Sequence, residues 1–505
     1  MLEVSANTST VEADVLAWIK PFQTVFIAFL ILFLWSSLPA TATPFRPLVF
    51  VPGILGSILE REGKIIWGDQ HSLSNFPELF IPFDQTNGPI KATGIIKNIA
   101  VLGAFKIHQY DSLYETLKEI GYVEGQNLFS FPYDWRGSNF NNADELARFI
   151  ESKPTLNGEF DILAHSMGGL VARLYLQRHG SSTRVRTLLN LAVPFRGSMN
   201  VLQTLEKGWG PANRLAGGLA KIRETLLSFP SVYELLPRYS TCCIYGRPGA
   251  GREFDPLTEE FWQKYDVLPD MYKDARGQRF IAARLSNVRN LQAVLEKPLP
   301  SNISERLVVG DLRDTVSRVY LDPDGQAPKI WQEERGDGTV VLTSAADGNI
   351  PRSDPAFAGH QVIFSDEYVK ILIQRAFDAA AGRFRDYAAP VPVIRRKTLP
   401  PLEVQGLSLE VEPVKEPGEK GSVTLAVRSR QPVQRGDIGV SLTIGNGRDE
   451  RTPIVVNETT MDGASTHDAT FYATFVSPSE AGFYQIIAEI SGIGTYDDYV
   501  LVVPK

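Results

Sequence analysis

Residues 160–176 constrain this chain more than any other stretch. An apolar run, Phe160-Asp161-Ile162-Leu163, leads into Ala164-His165-Ser166-Met167-Gly168, and a helix-forming run from Gly169 to Leu176 follows. Strand, small-x-Ser-x-Gly and helix in succession is the sequence form of a nucleophile elbow. The turn is so tight that small residues must flank the serine on both sides. It lifts the Ser166 hydroxyl off the carboxyl end of a parallel strand. It also aims the Met167 N–H and the helix N-terminus at an oxyanion. Ala164 stands where glycine would make the pattern stronger. The competing reading is a purely structural turn.

The flanking sequence repeats the same alternation. Pro47–Val51, Asn127–Trp135 (a strand with its exit loop), Phe160–Ala164 and Arg186–Val193 read as strands. Asp111–Ile120, Asn141–Ser152 and Met167–His179 read as helices. Alternating strands and helices predict an α/β class with a parallel sheet covered on both faces. Such sheets carry their sites at the carboxyl ends of the strands.

After Pro194 the rhythm breaks. Residues from about 200 to 300 read as helix and loop rich in aromatics, with Leu215, Leu219, Ile222 and Leu226 on one apolar stripe. This predicts a helical cap inserted over the strand ends, at about 200–330, within a unit spanning 44–388. The stripe is either a lid and acyl-binding wall or an amphipathic helix packed on the core. Arg306–Gly310 returns to strand, and Asp366–Ala381 closes the unit as a helix. A proline-rich linker covers 389–401. Beyond it, at 402–505, seven short alternating strands between Gly and Pro turns predict a small immunoglobulin-like β-sandwich. Tyr484 in Ala481-Gly482-Phe483-Tyr484 sits where such domains place a tyrosine corner. This unit shows no chemistry and reads as a structural or surface-binding module.

With 505 residues the chain is too long for one core, and its net charge of −7 gives no electrostatic case for a nucleic acid partner. No Walker or dinucleotide glycine loop occurs, and no His/Cys cluster at metal-ligand spacing, so no cofactor or metal is expected. The two cysteines, Cys242 and Cys243, are adjacent and read as buried small side chains. Val25–Trp35 is an unbroken apolar run with Lys20 before it and Pro39-Ala40-Thr41-Ala42 after it. Residues 1–42 are therefore expected to be a cleaved signal peptide or an uncleaved membrane anchor, which implies export. Glu3, Glu12 and Asp14 do not suit a signal n-region. Translation is accordingly expected to start downstream, near Val15 or Leu16.

A serine needs a base, and the base needs a carboxylate to orient it. In this fold class the chain order is Ser, acid, His. Downstream of Ser166 lie only His179, His360 and His467. His179 ends the elbow helix and points away, and His467 falls in the sandwich. His360, in the loop Phe357-Ala358-Gly359-His360, is left as the base. Asp337, in Gly336-Asp337-Gly338-Thr339, is the candidate acid, with Asp311, Asp314 and Asp354 as rivals. His165 reads as a buried, hydrogen-bonded histidine turned away from Ser166. The loop Gly53-Ile54-Leu55-Gly56 offers a second oxyanion donor at the Ile54 N–H beside that of Met167. Its apolar side chains, including Leu55, suit an acyl chain.

The motifs form an ordered set: Val51-Pro52-Gly53 with Leu55-Gly56-Ser57, Pro132-Tyr133-Asp134-Trp135-Arg136, the elbow, Gly336–Val340, and Gly359-His360. Over about 46–380 they resemble the lecithin:cholesterol acyltransferase family, which includes phospholipid:diacylglycerol acyltransferases and lysosomal phospholipase A2. The resemblance implies an α/β-hydrolase core with a cap, a Ser166–Asp337–His360 triad, and oxyanion donors at Ile54 and Met167. It implies an acyl-enzyme drawn from a phospholipid or other ester and passed to water or an alcohol. It also makes Leu55 and Trp67 substrate contacts and Phe229–Pro237 a cap segment. Secreted animal members tie a loop here with a disulfide, whereas the stretch around Trp67 has no cysteine. Two other readings stay open: a non-catalytic surface-binding protein on a hydrolase scaffold, and a non-lipid esterase or thioesterase.

Overall fold

The strand Leu48–Val51 sends Leu48 and Phe50 to one side and Val49 and Val51 to the other, and all four are buried. A strand apolar on both faces has to lie between two layers. In the computed structural model it pairs in parallel with Leu128–Ser130 on one side and Phe160–His165 on the other. The whole sheet is parallel, in the order 128–130, 48–51, 160–165, 185–191, 304–310, 353–356. The model describes residues 45–503 except 85–89, 102–104, 109, 180–183, 312, 324–327, 346–352, 357, 381–403, 413, 430–439, 446–450, 455–467 and 491–493. The expected signal or anchor segment, the linker at 389–401 and His467 lie outside the described residues.

Helices Asn139–Glu151, Met167–His179 and Ala275–Leu295 cover one face, packing Leu146, Leu170, Leu174 and Leu291 against Val49, Ile162 and Leu307. Asp111–Ile120 and Glu367–Ala380 cover the other, with Leu113, Leu117 and Ile373 against Phe50, Leu163 and Val308. This is the predicted α/β-hydrolase layering. Chain direction across the sheet reverses between 48–51 and 160–165, which makes a crevice at their carboxyl ends.

The inserted region differs from the expected helical cap in two ways. First, it is not one stretch over 200–330, because residues 304–310 return to the central sheet before the insertion resumes. Second, it contains a four-stranded mixed sheet of 243–247, 250–253, 313–321 and 330–336 beside its helices. Aromatics hide strand periodicity here: Tyr233, Phe254, Phe261, Trp262, Tyr265, Tyr272 and Phe280 form, with Val319 and Leu321 of this mixed sheet, a core separate from that of the central sheet. Cys242 and Cys243 are buried in it as free thiols.

At the C-terminus two sheets share one apolar core. One joins 404–411, 420–429 and 468–476; the other joins 414–415, 494–502, 482–490, 440–445 and 451–454. The Tyr484 hydroxyl donates to the Glu480 carbonyl at 3.1 Å. Among the described residues no helix is long and apolar enough to cross a membrane.

Candidate active site

Ser166 follows the strand Phe160–His165 and precedes the helix Met167–His179, at φ 52. Side chains rarely occupy that left-handed region, so the serine backbone stores strain. Its neighbours make the turn possible. A Cβ on Gly168 would fall 2.3 Å from the Pro52 carbonyl oxygen and 2.5 Å from that of Val51. Only glycine lets the elbow helix approach the exit of the first strand so closely. The turn is pinned by the Ser166 N–H to the Leu191 carbonyl at 2.9 Å.

The structure brings the three candidate triad residues together. His360 Nε2 lies 2.8 Å from Ser166 Oγ, and its Nδ1 lies 2.8 Å from Asp337 Oδ2. All three side chains are buried. Asp337 is itself held: its Oδ1 accepts the N–H groups of Thr339 and Val340 at 2.9 and 2.7 Å. The two loops are also joined by the His360 N–H to the Asp337 carbonyl at 2.9 Å. The rival acids sit elsewhere. Asp311 turns to Arg335 at 3.2 Å, Asp314 is exposed, and Asp354 lies within the edge strand 353–356. His179 meets Asp144 at 3.3 Å at the far end of the elbow helix.

His165 is buried, with Nδ1 2.9 Å from the Tyr110 hydroxyl and Nε2 3.2 Å from the His360 carbonyl oxygen. A carbonyl only accepts, so Nε2 carries the proton and Nδ1 accepts from Tyr110. The Tyr110 oxygen in turn accepts the Gly53 N–H at 2.9 Å. Burial, and secondly the neighbouring His360, hold the His165 imidazole well below the usual histidine range. It is therefore a neutral strut.

Among the described residues neither the Ile54 nor the Met167 N–H has an acceptor. Ile54 and Leu55, the latter at φ 65, line a cavity of about 170 Å³ that opens on Ser166 and His360. Its wall is mainly apolar: Trp135, Val201, Trp209, Leu226, Phe229 and Val232 contribute, with Asn200, Thr204 and Gln361 as polar members. Trp67 is a correction. The structure sets it behind the wall, where its Nε1 donates to the Leu55 carbonyl at 2.9 Å and its ring stands edge-on to Trp135. It supports Leu55 and does not line the cavity.

The run 132–136 explains how these parts are tied. The Tyr133 hydroxyl donates to the Pro52 carbonyl at 2.8 Å, and burial pushes its phenol well above the ordinary range, so it stays a donor. Trp135 lines the cavity while its Nε1 donates to the Ser57 carbonyl at 3.2 Å. Arg136 forms a buried fork with Asp134 at 2.9 and 2.6 Å and donates to the Leu79 carbonyl at 2.9 Å. The Arg136 carbonyl accepts from Ser231 of the cap. Trp209, Val201 and Thr204 escaped the sequence reading, because nothing in their local pattern sets them apart from core. Among the described residues no group of three or more His, Cys, Asp or Glu is placed to hold a metal.

Residues 84–270 match the family model for lecithin:cholesterol acyltransferase. Lecithin-cholesterol acyltransferase-like 4 of Arabidopsis thaliana is 26% identical over 237 residues, 40% of this chain and 43% of that protein. Lysosomal phospholipase A and acyltransferase of Homo sapiens is 31% identical over 248 residues, 47% of this chain and 56% of that protein. The chain thus spans about half the length of these curated relatives. Among solved structures, a chain of the Tle4–Tli4 complex aligns with a TM-score of 0.47 at 15% identity, over 68% of this chain and 99% of that one. The ordered motifs, the family-model match over residues 84–270 and these relatives point the same way: the chain is similar to the lecithin:cholesterol acyltransferase family.

Proposed function

We propose that this protein is a serine-nucleophile enzyme that takes an acyl group from a phospholipid or other ester lipid and passes it to water or a lipid alcohol. The observation that carries the reading is the hydrogen-bonded line Ser166–His360–Asp337, with both contacts at 2.8 Å, beneath an apolar cavity. Ser166 Oγ attacks the ester carbonyl while His360 Nε2 takes its proton. Asp337 keeps the other ring nitrogen protonated and steadies the imidazolium. The oxyanion rests on the Ile54 and Met167 N–H groups. His360 returns the proton to the leaving alcohol, which departs and leaves an acyl-Ser166 ester. Water or a second alcohol, deprotonated by His360, then releases the acyl group and restores the serine.

Similarity to the lecithin:cholesterol acyltransferase family supports the lipid class. The human relative's name carries both phospholipase and acyltransferase activity, so neither acceptor is preferred on that ground. In this reading the apolar run 25–35 directs export, or anchors the enzyme, toward a membrane or lipid surface. The C-terminal unit is an immunoglobulin-like sandwich that offers a further surface for contact.

The test uses phosphatidylcholine vesicles labelled in the acyl chain, with and without diacylglycerol or sterol, and a Ser166→Ala control. Label in free fatty acid whatever the acceptor identifies a phospholipase. Label in a new neutral ester identifies an acyltransferase. Label left in phosphatidylcholine refutes that phospholipid as the acyl donor, and release unchanged by the alanine refutes Ser166 as the nucleophile.

A further inference from the structure

The C-terminal sandwich reaches the cavity wall from outside. Trp209 lines the cavity beside Ser166 and stands edge-on to Phe76, with ring centroids 4.7 Å apart. It sits between Gly208 and Gly210, both in the left-handed region at φ 67 and 58. A Cβ at Gly208 would fall 2.2 Å from Asn213 Oδ1, so the sharp path there depends on glycine. The turn Gly210–Arg214 folds back on Trp209 through Asn213. Its Oδ1 accepts the Trp209 N–H at 2.6 Å, and its Nδ2 donates to the Lys207 carbonyl at 3.0 Å. The chain then passes to the helix Leu219–Leu227, whose Leu226 lines the same cavity. Residues 208–218 therefore form a short strap with Trp209 on its cavity side.

The other side of the strap meets the sandwich. The strand Val414–Lys415 lies against the turn Gly210–Arg214. The Arg214 guanidinium meets the Glu416 carboxylate at 2.7 Å. Glu416 is not a loose surface side chain. Its N–H donates to Glu419 Oε2 at 2.8 Å, and its carbonyl accepts the Ser477 hydroxyl. Lys415 beside it is buried, and its carbonyl accepts the Val503 N–H at 2.9 Å. The strap is thus held by a stiff edge of a unit that lies beyond the family match, which ends at residue 270.

We infer that the sandwich fixes the strap over the cavity, and that Trp209, so held, determines which acyl chains the Ser166 site accepts. The inference rests on the proposed acyl-transfer reading and assigns the sandwich a part in substrate selection. The Arg214–Glu416 pair is largely exposed, so loosening it shifts selectivity by about a few-fold without unfolding the chain.

The test compares full-length wild type, Arg214→Glu, Glu416→Arg and the charge-swapped double variant. Rates are read on p-nitrophenyl esters of short and long acyl chains, normalised to fluorophosphonate labelling of Ser166. Hydrogen exchange of residues 205–220 is followed in parallel. Each single variant should change the long-to-short rate ratio by about threefold or more and speed exchange of the strap, and the swap should reverse both, as expected for an electrostatic pair. Turnover and labelling in all four proteins with ratio and exchange unmoved overturns the inference alone. Exchange that speeds up while the ratio stays fixed overturns the selectivity claim. A wild type that neither labels nor turns over any ester overturns the acyl-transfer reading, and the selectivity claim with it.

Discussion

His165 Nε2 lies 3.2 Å from the carbonyl oxygen of His360, so the residue before the candidate nucleophile carries the loop of the candidate base. Through Tyr110 the same imidazole also reaches the Gly53 N–H, next to the candidate oxyanion donor Ile54. One buried polar chain thus sets the relative positions of three loops that meet at Ser166.

Tyr110→Phe removes the middle of that chain and leaves His165 Nδ1 and the Gly53 N–H without their buried partner. The variant should lose about 1–3 kcal/mol of stability, the cost of unsatisfied buried groups. Its kcat should fall more than its KM rises, because the loops lose register while the cavity wall stays. A denaturant melt and ester kinetics check both, and wild-type values in each would refute the strut.

Acidification should expose the His165 environment. The buried imidazole stays neutral where the unfolded chain titrates near 6.5. Below that pH the unfolded chain binds a proton that the native state refuses. The contribution is whole above 6.5 and is lost as pH falls below it, with a slope of up to about 1.4 kcal/mol per pH unit for one group. His165→Gln should be less stable at pH 7.5 but show a shallower loss between 6.5 and 5. Equal slopes in the two proteins would count against the assignment.

Glu234 should act in the opposite sense. It is buried, accepts Ser138 Oγ at 2.6 Å and the Asn139 N–H at 2.7 Å, and burial pushes its carboxyl up to about 6. The native state holds a proton that the unfolded chain has released above 4.5, so stability falls as pH climbs from 4.5 through 6. The rise corresponds to about 2 kcal/mol. Relative to wild type, Glu234→Gln should gain about that much between pH 4 and 7, read from paired denaturant melts. A difference that does not change with pH would dismiss Glu234 as the source.

Ser166 at φ 52 sets stability against function. Ser166→Gly and Ser166→Ala should both abolish fluorophosphonate labelling. Glycine relieves the left-handed strain and alanine does not, so the glycine variant should be the more stable by about 1 kcal/mol. Equal melting points would mean that the turn is unstrained.

Asp337→Asn keeps the shape but can present an N–H to His360 Nδ1, favouring the wrong tautomer. Turnover should fall on the order of 10³–10⁴-fold with little change in substrate affinity. A loss under tenfold, measured by steady-state ester kinetics, would return the acid's role to open competition.

Much of this was legible in the sequence because it is local. The elbow, its strand and its helix are encoded within 160–179; His360 stands out because the chain has few histidines, and Asp337 because glycines flank it in a loop between Ser166 and His360. The strands 243–247 and 250–253 were not legible, since an aromatic-rich segment gives no clean period and their pairing with 313–321 is non-local. Trp67 was misplaced for a related reason. Sequence gives its neighbourhood, but whether an indole faces the cavity or backs the wall depends on Trp135 and Phe76 packing around it. Trp209 was invisible because its exposure to the cavity follows from the two glycines that flank it and from its packing against Phe76.

The 194-residue separation of Ser166 and His360 has a consequence for biogenesis. The elbow and the Pro52–Gly53 loop rise on adjacent strands, Val51 beside Ala164, and can form from the first half of the chain. The imidazole cannot be seated until the strands 304–310 and 353–356 have joined the sheet. During synthesis, when the N-terminal part emerges first, Ser166 stays an ordinary alcohol with no base beside it. In the proposed reading Ser166 is therefore unarmed until the last strands of the central sheet, 304–310 and 353–356, have joined it.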